Sequence, residues 1–185
     1  MSRLSPASRD KIPKEQVGLF DELVKRHGMP DHGPAAILAH VPVVWRIDRD
    51  LRDCLRRGSA LSEDVVKLAM LVAGRELDCQ DIWSRHAGST DKAGISADLV
   101  KALRDRTELP KLPDKHMAVI HYGREIYRKH HVSHGTFSRA RELFGERGVV
   151  ELGLLFGSYH MLAILFNATD TALSANQADL SLPIY

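Results

Sequence analysis

The feature that most constrains this chain is a stretch of helix with almost no polar face. Ser62 is a good N-cap residue, and Glu63 and Asp64 follow it where the helix dipole stabilises carboxylates. Val65, Val66, Leu68, Ala69, Met70, Leu71, Val72 and Ala73 come next, with Lys67 the one charge among them. A helix that is apolar all round must be enclosed by other elements. A second segment of this kind runs from about Val149 to Asn167. Two such helices require a shell of amphipathic helices, and helical periodicity along the rest of the chain supplies it. Val17, Phe20, Leu23 and Val24, for example, share one face. No run alternates apolar and polar residues with β-branched enrichment, so no sheet is expected. The fold class is all-α.

Punctuation residues divide the chain into about eight helices. Pro13 opens the first, and Gly28, Pro30 and Gly33-Pro34 end it. A short apolar piece, Ala35 to Ala39, precedes a helix started by Pro42 and stopped by Gly58 after Arg57. The apolar helix from Ser62 is followed by one from about Asp78 to Lys92. Ser96 then caps a helix reaching about Arg104. Leu109 to Asp114, with Pro110 and Pro113, is a connector too short to act as a flexible interdomain linker. Beyond it lie helices from about Lys115 to Lys129 and from Ser133 to Phe144, and Gly145 and Gly148 turn the chain into the second apolar helix. A single domain is expected over residues 1–185, with a core of 12–168 and a tail of 169–185 that wraps a neighbour or frays.

Charge and cysteine content narrow the function classes. Lys plus Arg number 26 against 24 Asp plus Glu, too even a balance for a dedicated nucleic-acid binder. The basic run Arg124 to Lys129 reads as a solvated face. Cys54 and Cys79 cannot make a disulfide framework, which suits a reducing compartment. The first residues lack the apolar core of a signal peptide, and the apolar run Leu152 to Phe166 is short for a bilayer and contains His160. A cytoplasmic protein with no membrane partner is therefore expected. His130 and His134 are four apart, but Val132-Ser133 reads as a helix break between them, so no metal site is expected.

The window richest in chemistry is Asp78-Cys79-Gln80-Asp81-Ile82-Trp83-Ser84-Arg85-His86. Cys79 and His86 are seven apart and would share a helix face, with Ile82 and Trp83 between them. His86 is the candidate proton carrier, since an ordinary imidazole titrates near neutrality. Cys79 is the candidate nucleophile, and Trp83 a packing residue or pocket wall. In the second apolar segment Tyr159 and His160 are candidates to line a pocket or a subunit interface. Glu151 reads as a dipole-stabilising carboxylate paired with Arg147, or as a support for the site histidine.

The block Leu61 to Ser96 resembles the core of the carboxymuconolactone decarboxylase family, which includes the alkylhydroperoxidase D-like proteins. Trp83-x-x-His86 and Ala93-Gly94-Ile95-Ser96 fit its pattern. So do His32-Gly33-Pro34 with Pro42 upstream, and Val132-Ser133, Phe144-Gly145, Val150-Glu151-Leu152, Tyr159 and Asn167 downstream. The resemblance implies an all-α fold and a homo-oligomer, trimeric or hexameric. It implies a cofactor-free enzyme for a small carboxylated compound, with His86 as general acid/base and Lys67 or Arg85 drawing in the anionic substrate. The chain departs from the peroxidase branch at two positions. Ile82 stands where a second cysteine would be, and Lys67 where that branch has a glutamate. Three readings stay open: a decarboxylase-like lyase, thiol-dependent peroxidase chemistry through Cys79, and a non-catalytic ligand-binding oligomer.

Overall fold

A computed structural model describes residues 2–171, 173 and 180–184. Among these, eight α-helices and three short 3-10 turns carry the chain, with no strand. The helices are α1 (Val17–His27), α2 (Gly33–Leu38), α3 (Pro42–Arg57), α4 (Glu63–Glu76), α5 (Gln80–Ala87), α6 (Ala97–Asp105), α7 (Asp114–Lys129) and α8 (His134–Thr169).

The expected central helix is central. α4 packs against α5, α7 and α8, and every residue from Val65 to Arg75 except Lys67 is buried. α8 buries Leu152, Leu155, Phe156, Tyr159, Leu162, Ala163 and Phe166 against it. α3 packs along α8, and α1 and α2 lie against α3.

Local chemistry explains most of the boundaries. Ser96 Oγ accepts from the Leu99 N–H at 3.3 Å and Ser133 Oγ from the Thr136 N–H at 3.4 Å, each satisfying an orphan donor of a first turn. Ser62 sits at the N-cap of α4 without capping it; its hydroxyl serves the Asp64 carboxylate instead. Pro42 begins α3 and Gly58 ends it. The last two expected helices are joined as α8, bent at Gly145, whose φ of 70° and ψ of 175° are open to a residue without Cβ. Gly148 is helical and buried, so Gly145 alone makes the turn. So joined, α8 is by length and composition the one described helix able to cross a membrane, and half of its most apolar window is buried inside the protein.

Some boundaries differ from the sequence reading. Gly33 and Pro34, read as ending the first helix, open α2 instead, where the missing N–H of Pro34 costs nothing, and Gly28 alone ends α1. The helix expected over 78–92 is only Gln80–Ala87. Asp78, at φ 46°, and Cys79, in extended backbone, form a turn before it, held in part by the Asp78 carboxylate between Arg75 and Arg106. Cys79 is thus the N-cap, and the shared helical face expected for it and His86 does not exist as such. In the tail, residues 172 and 174–179 lie outside the described set. Past them the chain returns to the body: the N–H and carbonyl of Leu182 pair with the Gln80 side chain, and the Ser181 carbonyl accepts from Arg104.

Candidate active site

α5 is pinned to the end of α4. The Cys79 N–H donates to the Gly74 carbonyl at 2.8 Å, and the Trp83 N–H donates to the Cys79 carbonyl at 3.0 Å. This fixes the roll of α5 and turns Asp81, Ile82, Trp83, Ser84 and His86 inward. His86 is 5% exposed. Its ring meets Tyr159 of α8 edge-on, with centroids 5.5 Å apart and planes at 70°.

Four cations act on the His86 ring. Burial pushes the His86 pKa well below its ordinary value, and Lys67, Arg56, Arg85 and Arg52 push it further the same way. The imidazole is therefore neutral at pH 7 in the free protein, unlike the freely titrating group expected from sequence. Burial raises the Tyr159 pKa despite Arg56 and Arg52, so its phenol is protonated too. Lys67 is lowered by burial and by Arg56, and its ammonium donates to Ser89 Oγ at 2.8 Å in the loop just after His86.

The cations divide between two open clefts. Arg52 and Arg85 line one of about 310 Å³, beside Trp45, Gly33 and Pro34. Arg56 and Lys67 line another of about 450 Å³, with Val66 and Met70 as its apolar wall. The α3 residues were not candidates from sequence. Trp45, Asp48, Arg52 and Leu55 follow one another at i, i+3, i+7 and i+10, and Trp45, Asp48 and Leu55 are buried. That spacing was the available signal, hidden because half of this inward face is charged.

Cys79 is completely buried, and burial raises its thiol pKa to about 11 despite the opposing Ile82 N–H. It is a protonated, enclosed sulfur. The other cysteine, Cys54, is exposed on α3.

The remaining candidates are dispersed. Trp83 is buried and lines a third cleft, of about 480 Å³, with Val100, Lys101 and Leu180. Glu151 clamps α8 to the α3–α4 loop, accepting from Ser59 Oγ, the Ala60 N–H and Arg147 Nε, each at 2.7 Å. The pair with Arg147 read from sequence is thus present, and the carboxylate serves the loop. His160 is exposed and lies edge-on to Tyr127 of α7, centroids 5.5 Å apart, while the adjacent Tyr159 faces inward. His130 ends α7 at φ 57°, and His134 lies beyond the Ser133 cap. Among the described residues no group of three His, Cys, Asp or Glu side chains could hold a metal ion.

No family model and no curated protein matches the sequence. Solved structures do match its shape. An uncharacterised peroxidase-related protein from Ralstonia eutropha JMP134, an alkylhydroperoxidase AhpD core, has TM-score 0.72 at 13% identity over 94% of this chain and 93% of its own. The debrominase Bmp8, in complex with 2,3,4-tribromopyrrole, has TM-score 0.71 at 12% identity over 97% of each chain. A protein of unknown function from Agrobacterium tumefaciens, a candidate antioxidant defence AhpD, has TM-score 0.67 at 13% identity over 75% of this chain and 95% of its own. The fold is that of the AhpD core. At these identities the likeness extends to the fold and stops there. On this AhpD-like scaffold His86 and Tyr159 touch and His86 feels the charges of Lys67, Arg85, Arg52 and Arg56, which line two clefts whose walls do not include either ring, while Trp83, Glu151 and His160 lie elsewhere.

Proposed function

We propose that the protein is a cofactor-free, lyase-like enzyme that decarboxylates a small carboxylated, lactone-type compound of aromatic origin. The observation that carries the reading is the neutral, buried His86 against Tyr159 and in the field of four cations. An anionic substrate beside Lys67 and Arg56 offsets the field that keeps the imidazole neutral and raises its affinity for a proton. The carbon–carbon bond to the substrate carboxylate breaks, its electron pair moves into the adjacent conjugated carbonyl as an enolate, and carbon dioxide leaves. The cations stabilise the enolate, and His86, protonated from solvent once the anion is bound, gives that proton to carbon and becomes neutral again.

Thiol chemistry is less well supported. Cys79 is fully buried with its pKa raised to about 11, and with Ile82 three residues on, α5 carries no sulfur to pair with it. The enzyme is proposed to act in the cytoplasm as a homo-oligomer, trimeric or hexameric. Support for self-association comes from exposed Val150, Leu154, Met161 and Ile164 on α8. They recur at the 3.5-residue period of a helix–helix seam.

Ultraviolet-monitored turnover of carboxymuconolactone, with His86→Ala alongside, tests the reaction. Turnover that the substitution abolishes, with helical circular dichroism unchanged, is the expected result. No turnover by folded wild-type protein, or full activity in His86→Ala, overturns it.

A further inference from the structure

We propose that the cleft between α1, α3 and α5 is an oxyanion site in which Arg52 and Arg85 grip the carboxylate of a small organic acid. The two arginines come from different helices, and each is held by a buried carboxylate on its own helix one turn earlier. Arg52 donates through Nε at 2.9 Å and Nη2 at 2.6 Å to Oδ2 of Asp48, whose side chain is 1% exposed. Arg85 donates through Nε at 3.0 Å to Oδ1 and through Nη2 at 2.9 Å to Oδ2 of Asp81, whose side chain is 2% exposed. These bonds use one edge of each guanidinium. The other terminal nitrogen, Nη1, has no hydrogen-bond partner among the described residues, and both arginines line the same cleft.

A buried carboxylate that fixes an arginine is costly to maintain for a surface charge alone, because the carboxylate is desolvated. Here it preorganises the donors. The rotamer entropy a flexible arginine loses on gripping a ligand is already spent, and a planar guanidinium matches a carboxylate better than a point charge does. Asp48 and Asp81 are not among the residues that line the cleft, so they hold the arginines from behind. Arg26 also lines the cleft, with Asp31 and Asp53, while Arg49 is paired with Glu22 at 2.8 Å and Asp50 at 2.8 Å. Pro30, Pro34 and Ala35 provide apolar wall for a carbon body. At about 310 Å³ the cleft is at the small end of ligand sites.

This inference goes beyond the proposed reaction, since binding holds whether or not His86 turns the ligand over. Isothermal titration at low ionic strength, with benzoate and separately with inorganic phosphate, tests it. Benzoate is expected to bind one equivalent per chain, and more tightly than phosphate. Arg52→Lys and Arg85→Lys keep the charge and the partner aspartates but lose the planar fork, and each is expected to weaken benzoate about tenfold. In the unmodified protein, benzoate is expected to shift the Nε–Hε resonances of Arg52 and Arg85, which needs no variant to fold. No benzoate binding, tighter phosphate binding, unaltered affinity in both folded Lys variants, or unmoved arginine resonances overturns the proposal. Turnover has no role in these readouts, so failure of the lyase reading and failure of this site are separable.

Discussion

Gly74→Ala tests whether the contact between α4 and α5 sets the position of His86. A Cβ at residue 74 would lie 2.9 Å from the Trp83 backbone nitrogen, 3.1 Å from the Trp83 Cα and 3.1 Å from Ile82 Cγ2. Carbon contacts are comfortable at about 3.5–4.0 Å, so the nearest approach is short by about 0.6 Å. Two of the three atoms are backbone and cannot rotate away. The alanine itself favours helix by about 1 kcal/mol over glycine. Forcing a methyl into a closed interface costs about 1–3 kcal/mol. The net expectation is a loss of about 0–2 kcal/mol, and α5 must slide along α4 and carry His86 with it. Urea unfolding followed by circular dichroism measures the first effect, and the His86 imidazole resonances report the second. A variant as stable as wild type, with His86 resonances unmoved, would refute the argument that this helix crossing is rigid.

Other perturbations probe the site and its supports separately. A thiol-labelling reagent applied to the folded protein at pH 8 is expected to modify one cysteine, Cys54, since Cys79 is buried with its pKa raised to about 11; two fast-reacting thiols would contradict that burial. Because the His86 pKa is lower folded than unfolded, the unfolded chain binds the extra proton first, and stability falls as pH drops below about 6.5. His86→Gln should flatten that slope in urea midpoints measured between pH 7.5 and pH 5, and an unchanged slope would show that other groups set it. Glu151→Gln replaces a carboxylate accepting three hydrogen bonds with a neutral amide, at an expected cost of about 1.5–3 kcal/mol in urea unfolding; a loss below about 0.5 kcal/mol would mean that the loop does not depend on the charge.

What was legible in the sequence follows from how local each cause is. The caps at Ser96 and Ser133, the start at Pro42 and the stop at Gly58 depend on the few residues around them, and they stand where a local reading puts them. The pair Arg147–Glu151 is one helical turn long and is equally visible. The enclosed helix α4 was legible because a helix without a polar face can go nowhere but the interior. The short α5 was not, since its start is set by positive φ at Asp78, a residue held by Arg106 from 28 positions away. The inward face of α3 was hidden for a related reason. Asp48 and Arg52 offset each other's charge in the folded chain, so a burial pattern sought through apolar residues alone passes over them. Of the cations around His86, Lys67 is conspicuous as a lone charge in an apolar run, and Arg85 lies beside the histidine in sequence. Arg52 and Arg56 reach it only because α3 packs along α8, where Tyr159 completes the site. The positions that carry the cationic field thus depend on helix–helix packing, the level at which periodicity has no more to say.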